Sequence, residues 1–577
     1  MAAQPAGGSN GDGGISVSVR ERPVDASERR SDAPSRPGPS GRRRAGAHRA
    51  PAAITERPLA QRVRRGALWS AASTLILRLA NITIMAIVAR TLSPRDFGIF
   101  AVALTVHAIV SSIAELGVAS TLVRDEVDPA EVAPTVAAVS LISSVVLAGL
   151  MTVFAAPLAT ALGSSAAAGP MRVMALAVVL VGIFAVPGAE LAREFRQDKQ
   201  FAANLLGFAA ANGLLLYLAL HGGGAMSFAW SRVVGQLLIG GAMTLMTERR
   251  YLPRIDRDQL RPILAFGLPL AGANLLNYML LNTDYVFIGH MLGPIELGVY
   301  MLAFNISSWS NSLMSTMLNS IAMPALSRVK QDAVKLQAAL IRAVIALGFV
   351  ALPICVLTAT LAHPLVRSVY GSKWDHAASV LAVLSSYGAI SVLCLLLANA
   401  LSAFGKTNLL LVTQIPWIAT LVPAMAIGVH LHGIVGAAWA HIVIICLVAL
   451  PVYLTMLKRA APVRLLPVIR GIAPLLLAAG LAGVAAYLVS RAVSGSLVQL
   501  LSGGLAGGLT YLVLALPLAQ DVIGRVPKLP ARVAGPFNLY SRQLRALGLG
   551  IPEPVHSEEI TLAAEDHLAF TESEGRL

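Results

Sequence analysis

A bilayer core takes roughly 20 apolar residues per helical span, and this chain offers runs of that length repeatedly. They lie at 66–91, 97–122, 134–162, 170–191, 200–221, 225–247, 263–291, 297–322, 339–366, 376–401, 407–430, 432–457, 466–490 and 497–519. Nothing else in the sequence restricts the fold as much. Inside hydrocarbon every backbone N–H and C=O must be satisfied within its own segment, so runs of this length are helices, about fourteen of them. The ten-residue alternation and aromatic girdles of a membrane barrel are missing. Composition agrees, with 56% hydrophobic and 13% charged residues and a mean hydropathy of +0.70, more apolar than a soluble core requires. The predicted fold is all-α and integral to the membrane. Cys355, Cys394 and Cys446 fall inside the runs without disulfide or metal spacing, and read as packing residues.

A formal net charge of +15 raises the question of nucleic acid. The placement of the charges answers it. Arginine and lysine gather in short loops beside the runs, which fits topology and anionic membrane lipids, and no nucleic-acid partner is expected. One set of alternate loops holds Arg124; Arg193, Arg196 and Lys199; Arg249, Arg250, Arg254, Arg257 and Arg261; Arg328, Lys330, Lys335 and Arg342; Lys406; and Lys458, Arg459, Arg464 and Arg470. The other set holds Arg95, Arg367, Lys373 and Arg491. The richer set is expected to face the cytoplasm, with both termini on that side. Residues 1–62, rich in Gly, Ser, Pro and Arg, read as a disordered basic tail rather than a signal peptide, because no short apolar segment precedes the first run. Residues 520–577 read as a second cytoplasmic tail, acidic near its end.

The chain also repeats itself. At an offset of 200, Ala71, Leu75, Thr83, Leu92, Pro94 and Gly98 meet Ala271, Leu275, Thr283, Leu292, Pro294 and Gly298. At an offset of 207, Pro157, Leu158 and Lys199 meet Pro364, Leu365 and Lys406. Two homologous six-helix lobes are therefore expected, 66–250 and 260–458, followed by two additional helices within 466–519. An even number of helices per lobe makes the repeats parallel, related by an axis along the membrane normal.

Polar residues inside spans must face protein or water, so they are where function shows. Ser70, Thr74, Arg78 and Asn81 share one face of the first helix; Asn274, Asn277 and Asp284 share a face of the seventh. His107, Ser111 and Glu115 stripe the second, and Asn305, Trp309, Ser312, Thr316 and Asn319 the eighth. Pseudo-twofold symmetry would turn these stripes toward one cavity, while interhelical hydrogen bonding is the competing reading for each. Arg78 is harder to assign to helix packing, since a central arginine costs roughly 2.5–3.5 kcal/mol on insertion scales. It meets either an anionic group of cargo or a buried partner, Glu115 or Asp284. Arg232 in the sixth helix poses the same choice, and His107 reads as a packing residue. Asp284, whose first-lobe counterpart is Ile84, has three readings: a partner for an arginine, a site for a coupling proton or cation, or a hydrogen-bond partner of cargo. Asp256-Arg257-Asp258 has the form of a glycosyltransferase D-x-D, but without a soluble domain around it the segment reads as a solvated loop. No Walker motif is present, and no bound cofactor is expected.

The pattern NTDYVFIGHMLGPIELGVY, residues 282–300, together with ARTLSPRDFGIFAVA, ELGVASTLVR and ALSAFGKTN, resembles the oligosaccharide-flippase branch of the multidrug/oligosaccharidyl-lipid/polysaccharide exporter superfamily. The resemblance spans 66 to 519. It implies a flippase rather than an enzyme, carrying a polyprenyl-diphosphate-linked oligosaccharide across the plasma (inner) membrane by alternating access, for exopolysaccharide, O-antigen or capsule-type synthesis. It implies lumen arginines on the diphosphate: Arg78 matches a first-helix arginine of the related lipid II flippases, and Asp284 matches the family's seventh-helix aspartate. Arg78, Asn81, Arg232, Asn274 and Asn277 are the expected cargo contacts, with Asp284 and Glu115 as a coupling or structural pair. Drive by a proton or sodium gradient is the associated expectation, as are polymerase and chain-length proteins as partners. A multidrug and toxin extrusion type cation-coupled antiporter and a lipid II flippase are the alternatives within this fold, and a membrane glycosyltransferase or polymerase is the alternative outside it.

Overall fold

The structure is a computed structural model describing residues 80–114, 122, 128–317, 333–404, 407–460 and 464–523, and every regular element among them is helical. In chain order the helices are α1 (Ala80–Thr91), α2 (Pro94–Ala114), α3 (Pro129–Val153), the short α4 (Ala155–Ala161), α5 (Ala168–Arg193), α6 (Gln197–Leu220), α7 (Met226–Met246), α8 (Arg257–Leu292), α9 (Pro294–Met317), α10 (Ala333–Thr360), the short α11 (Ala362–Val369), α12 (Asp375–Ala403), α13 (Thr407–Ile444), α14 (Leu450–Ala460), α15 (Leu465–Arg491) and α16 (Ser496–Ile523).

Among the described residues, nine helical stretches are long and apolar enough to cross a membrane. They become ten if α8, whose limbs Arg257–Leu276 and Leu281–Leu292 are bent by 52°, counts as one span. The protein is a multi-pass membrane protein. Two departures from the expected runs have plain causes. The run at 66–91 is described only from Ala80. Those at 407–430 and 432–457 join in one stretch, Thr413–Ala460, which turns where His432 and Gly433 leave the helical conformation.

Helix starts follow local chemistry. Ser93 and Asp96 cap each other ahead of α2: the Ser93 backbone N–H donates to Asp96 Oδ2 (3.0 Å) and the Asp96 N–H to Ser93 Oγ (3.2 Å). Asp128 caps α3 through the Ala130 N–H, with Pro129 at the first helical position. The D-x-D segment is resolved in the same way. Asp256 Oδ1 accepts from the Asp258 N–H at 3.0 Å, so the first acid is the N-cap of α8 and the second lies in its first turn, where the helix dipole favours it.

In the first half α5 and α6 pack against α7 and α3 against α5, and in the second α12 lies against α9, α10 and α13. The two additional helices pair with each other, and α15 rests on α10. Buried apolar side chains form two main clusters. One joins α2, α5 and α7 to α9, α12 and α13 through Phe97, Met171, Phe228, Tyr300 and Trp374. The other joins α10, α12, α14 and α15 through Leu340, Leu397, Leu457 and Leu475. Exposed leucines on α15 and α16, such as Leu481, Leu488 and Leu505, form the outer apolar surface that lipid solvates.

Candidate functional site

The duplicated Gly/Pro hairpins meet each other. The first turn of α2 crosses the first turn of α9 so closely that a methyl group at Gly98 would collide with the Pro294 carbonyl, and one at Gly298 with the Pro94 carbonyl. Each glycine of the repeat thus receives the proline carbonyl of the other copy, where only a hydrogen atom leaves room.

A second reciprocal pair flanks this crossing. Arg90 at the end of α1 donates from Nε to the Val369 carbonyl at 2.9 Å and from a terminal nitrogen to that of Ser368. Its counterpart His290, at the end of α8, donates from Nδ1 to the Ala161 carbonyl at 2.7 Å, and Ala161 is the residue 207 positions before Ser368. Beside it, Gly163 (φ +86°) lies where a methyl group would strike the Gly289 carbonyl.

The second half adds three further bonds to this junction. Lys373 Nζ donates to the carbonyls of Arg90 (3.0 Å) and Leu92 (2.6 Å), and Trp374 Nε1 to that of Ala89 (2.9 Å). Carbonyls at a helix end lack intrahelical partners, and these bonds supply them. The Trp374 ring is fully buried and meets Phe97 edge-on, with centroids 4.9 Å apart. The first half has Ala167 at the position matching Trp374.

Asp284 lies in the second limb of α8 and is 1% exposed. Its Oδ1 accepts from the Tyr285 backbone N–H (2.9 Å), while Oδ2 stands 3.7 Å from His441 Nε2 on α13. Neither that oxygen nor either His441 ring nitrogen has a hydrogen-bond partner among the described residues. Three tyrosines surround the pair. The Tyr300 hydroxyl from α9 is buried beside the carboxylate, Tyr285 lies next to it in sequence, and the Tyr387 ring from α12 is 5.1 Å from the His441 ring. The titratable side chain that faces Asp284 Oδ2 is therefore a histidine.

Arg232 projects from α7 into a cleft of about 420 Å³ shared with α6, lined also by Asn204, Phe208, Asn212 and Gln236. Asn81 is exposed, Asn274 is half-buried, and Asn277 lies on α8 with its side chain outside the described set. Arg78 and Glu115, with Ser70, Thr74 and Asn319, lie outside the described residues. His107 is buried with one ring nitrogen 3.4 Å from Ser111 Oγ, while its Nδ1 has no hydrogen-bond partner among the described residues. Sequence reading did not single out His441, Lys373 or Trp374. His441 stands in the apolar segment AAWAHIV, and a titratable residue in such a setting is the signal that could have found it.

Known proteins agree with this architecture. The family described as "Polysaccharide biosynthesis protein" matches residues 87–379. The succinoglycan biosynthesis transport protein ExoT of Rhizobium meliloti is 26% identical over 398 residues, covering 67% of this chain and 78% of that protein. The lipopolysaccharide biosynthesis protein WzxC of Escherichia coli is 22% identical over 402 residues, covering 68% and 80%. Among solved structures, the lipid II flippase MurJ in an inward closed conformation superposes with a TM-score of 0.66 at 14% identity, over 79% of this chain and all of that one. An inward-facing multidrug resistance MATE family transporter of the MOP superfamily gives 0.53 at 17% identity, over 66% and 96%. With more than half of its length matched, the chain belongs to the family described as polysaccharide biosynthesis protein, and its helices take the fold seen in those solved transporters.

Proposed function

We propose that this protein carries a lipid-linked oligosaccharide, attached through a polyprenyl diphosphate, from the cytoplasmic to the outer face of the plasma membrane by alternating access. The observation that carries this reading is the junction at the ends of α1 and α8. It is built from backbone apposition and hydrogen bonds to carbonyls, contacts worth about 1 kcal/mol each that can be broken and remade as a set. Loop charges support placing this junction outside and both termini inside. The cargo surface in this reading includes Arg78, Asn81, Asn274 and Asn277, and a polymerase and chain-length proteins are the partners that would receive the product. Reconstituted vesicles test it: the purified chain should move undecaprenyl-diphosphate-linked oligosaccharide to the outer leaflet. Export of organic cations without movement of the lipid-linked sugar would favour the multidrug antiporter, and incorporation of labelled sugar into polymer would favour an enzyme.

A second reading concerns energy. A buried carboxylate 3.7 Å from an imidazole suits a proton better than sodium, because both groups are proton acceptors and the surrounding tyrosine hydroxyls accept or donate hydrogen bonds. We take Asp284 and His441 as the coupling pair. Asp284→Asn and His441→Gln should each leave transport insensitive to an imposed pH gradient. A gradient response retained in both variants would return the pair to a structural role, and sodium dependence in the wild type would remove the proton.

A further inference from the structure

We propose that the cleft between α6 and α7 is a subsite for the phosphate-bearing end of a saccharide lipid, with Arg232 on the phosphate and Asn204, Asn212 and Gln236 on hydroxyls of the first sugar. This deepens the transport reading above and rests on it.

Arg232 is six residues into α7, roughly 9 Å along its axis from Met226, and no carboxylate among the described residues pairs with it. An unpaired cation at that depth needs an anion or water. Its side chain is exposed rather than packed, so the cleft gives an anion access to it. His107 of α2 and Tyr278 of α8 both lie within its electrostatic reach, and these helices belong to different halves of the repeat.

The rest of the lining supplies what a sugar needs. Arg232 and Gln236 are four residues apart on α7 and share a face; Asn204 and Asn212 are eight apart on α6 and share the face opposite them. The Asn212 amide donates to the Phe208 carbonyl at 2.8 Å, which orients its own oxygen. No hydrogen bond within the protein claims the Asn204 or Gln236 side chain among the described residues. Phe201 and Phe208 line the same cleft and offer apolar faces to the C–H side of a pyranose. Carboxamides and rings without a cation would suit a neutral sugar, and a lone arginine would suit any anion. Their combination in a cleft of about 420 Å³ fits a phosphosugar.

A phosphate can come from cargo or from bilayer lipid, and the test separates them. The full chain, in nanodiscs of phosphatidylcholine, is titrated with undecaprenyl diphosphate, with the same lipid bearing one hexose, and with phosphatidylglycerol. Arg232→Ala should weaken binding of both diphosphates about 10- to 100-fold, with Arg232→Lys restoring part of it, since lysine cannot reproduce the two-pronged contact. Asn212→Ala and Gln236→Ala should weaken only the hexose-bearing lipid, by about 5-fold each. Phosphatidylglycerol binding as tightly as the diphosphates, with the same loss in Arg232→Ala, would assign the site to bilayer lipid and overturn the cargo role. Binding unchanged in Arg232→Ala would overturn the site itself. If wild-type vesicles move no lipid-linked sugar, the transport reading fails instead, whatever the titrations give.

Discussion

At the end of α8, His290 reaches the Ala161 carbonyl as Arg90 of α1 reaches that of Ser368; six residues earlier on the same helix, Asp284 faces His441, while its counterpart Ile84 packs among apolar side chains. Duplication is kept in the glycine crossing and in the Arg90 and His290 bonds, and abandoned in the Lys373 and Trp374 bonds and at the buried Asp284 carboxyl. The reason is geometric. At the glycine crossing each copy supplies the carbonyl that the other receives, so that contact is made twice. The Asp284–His441 pair inside one half meets no such requirement. It can arise in one lobe alone, and the tyrosines Tyr300 and Tyr387 that surround it come from α9 and α12 of that same lobe.

The comparison breaks most sharply at the glycines. Gly98→Val or Gly298→Val places side-chain atoms against a backbone carbonyl that cannot turn away, at a cost of about 3 kcal/mol or more to the closed junction, roughly a hundredfold in its population. Either variant should nearly abolish transport while the folded chain persists in the membrane. Equal losses in the two would establish that the halves carry equal weight. A normal transport rate in Gly98→Val would mean that the close crossing has no part in the cycle.

Smaller effects sharpen the same comparison. Arg90→Ala removes two bonds to carbonyls and His290→Ala one, so at about 1 kcal/mol per bond the first should lower transport by tens-fold and the second by about 5-fold. Lys373→Met should fall between them, because Lys373 donates to the Arg90 and Leu92 carbonyls from the exposed rim. Identical losses for Arg90→Ala and His290→Ala would show that bond number is irrelevant there. The smallest effect belongs to Asp256. Asp256→Ala should cost about 1 kcal/mol of stability as a lost N-cap, read as a lower melting temperature, and leave transport intact with or without divalent metal. Loss of activity on chelation would revive the D-x-D as a metal site.

Much of this architecture was legible before any coordinates. Spans show as apolar runs because hydrocarbon imposes length and composition on each helix separately, and the Gly/Pro repeat shows because it occurs twice. What the repeat was for did not show. Pro94 and Gly298 lie two hundred residues apart, and pairing patterns within one hairpin cannot reveal that the copies cross. Asp284 stood out as an acid in an apolar run, yet His441 did not, since one histidine near Trp439 in a long apolar segment carries no spacing that marks it as a partner. Arg232 was visible for its charge. Its cleft required α6 and α7 side by side, so that Asn204 and Asn212 could face Arg232 and Gln236.

In the proposed transport cycle the junction between the halves opens at every turnover. Cysteines at Arg90 and Ser368, in a chain with Cys355, Cys394 and Cys446 replaced by alanine, would bridge the two halves where the guanidinium now spans them. The measurement is movement of undecaprenyl-diphosphate-linked oligosaccharide in reconstituted vesicles before and after a bifunctional thiol cross-linker with a cleavable spacer, taken relative to the uncross-linked cysteine pair, whose rate already lies tens-fold below the wild type for loss of the Arg90 bonds. Transport should stop on cross-linking and return on cleavage. Transport continuing at its full rate through a quantitatively cross-linked junction would contradict the account.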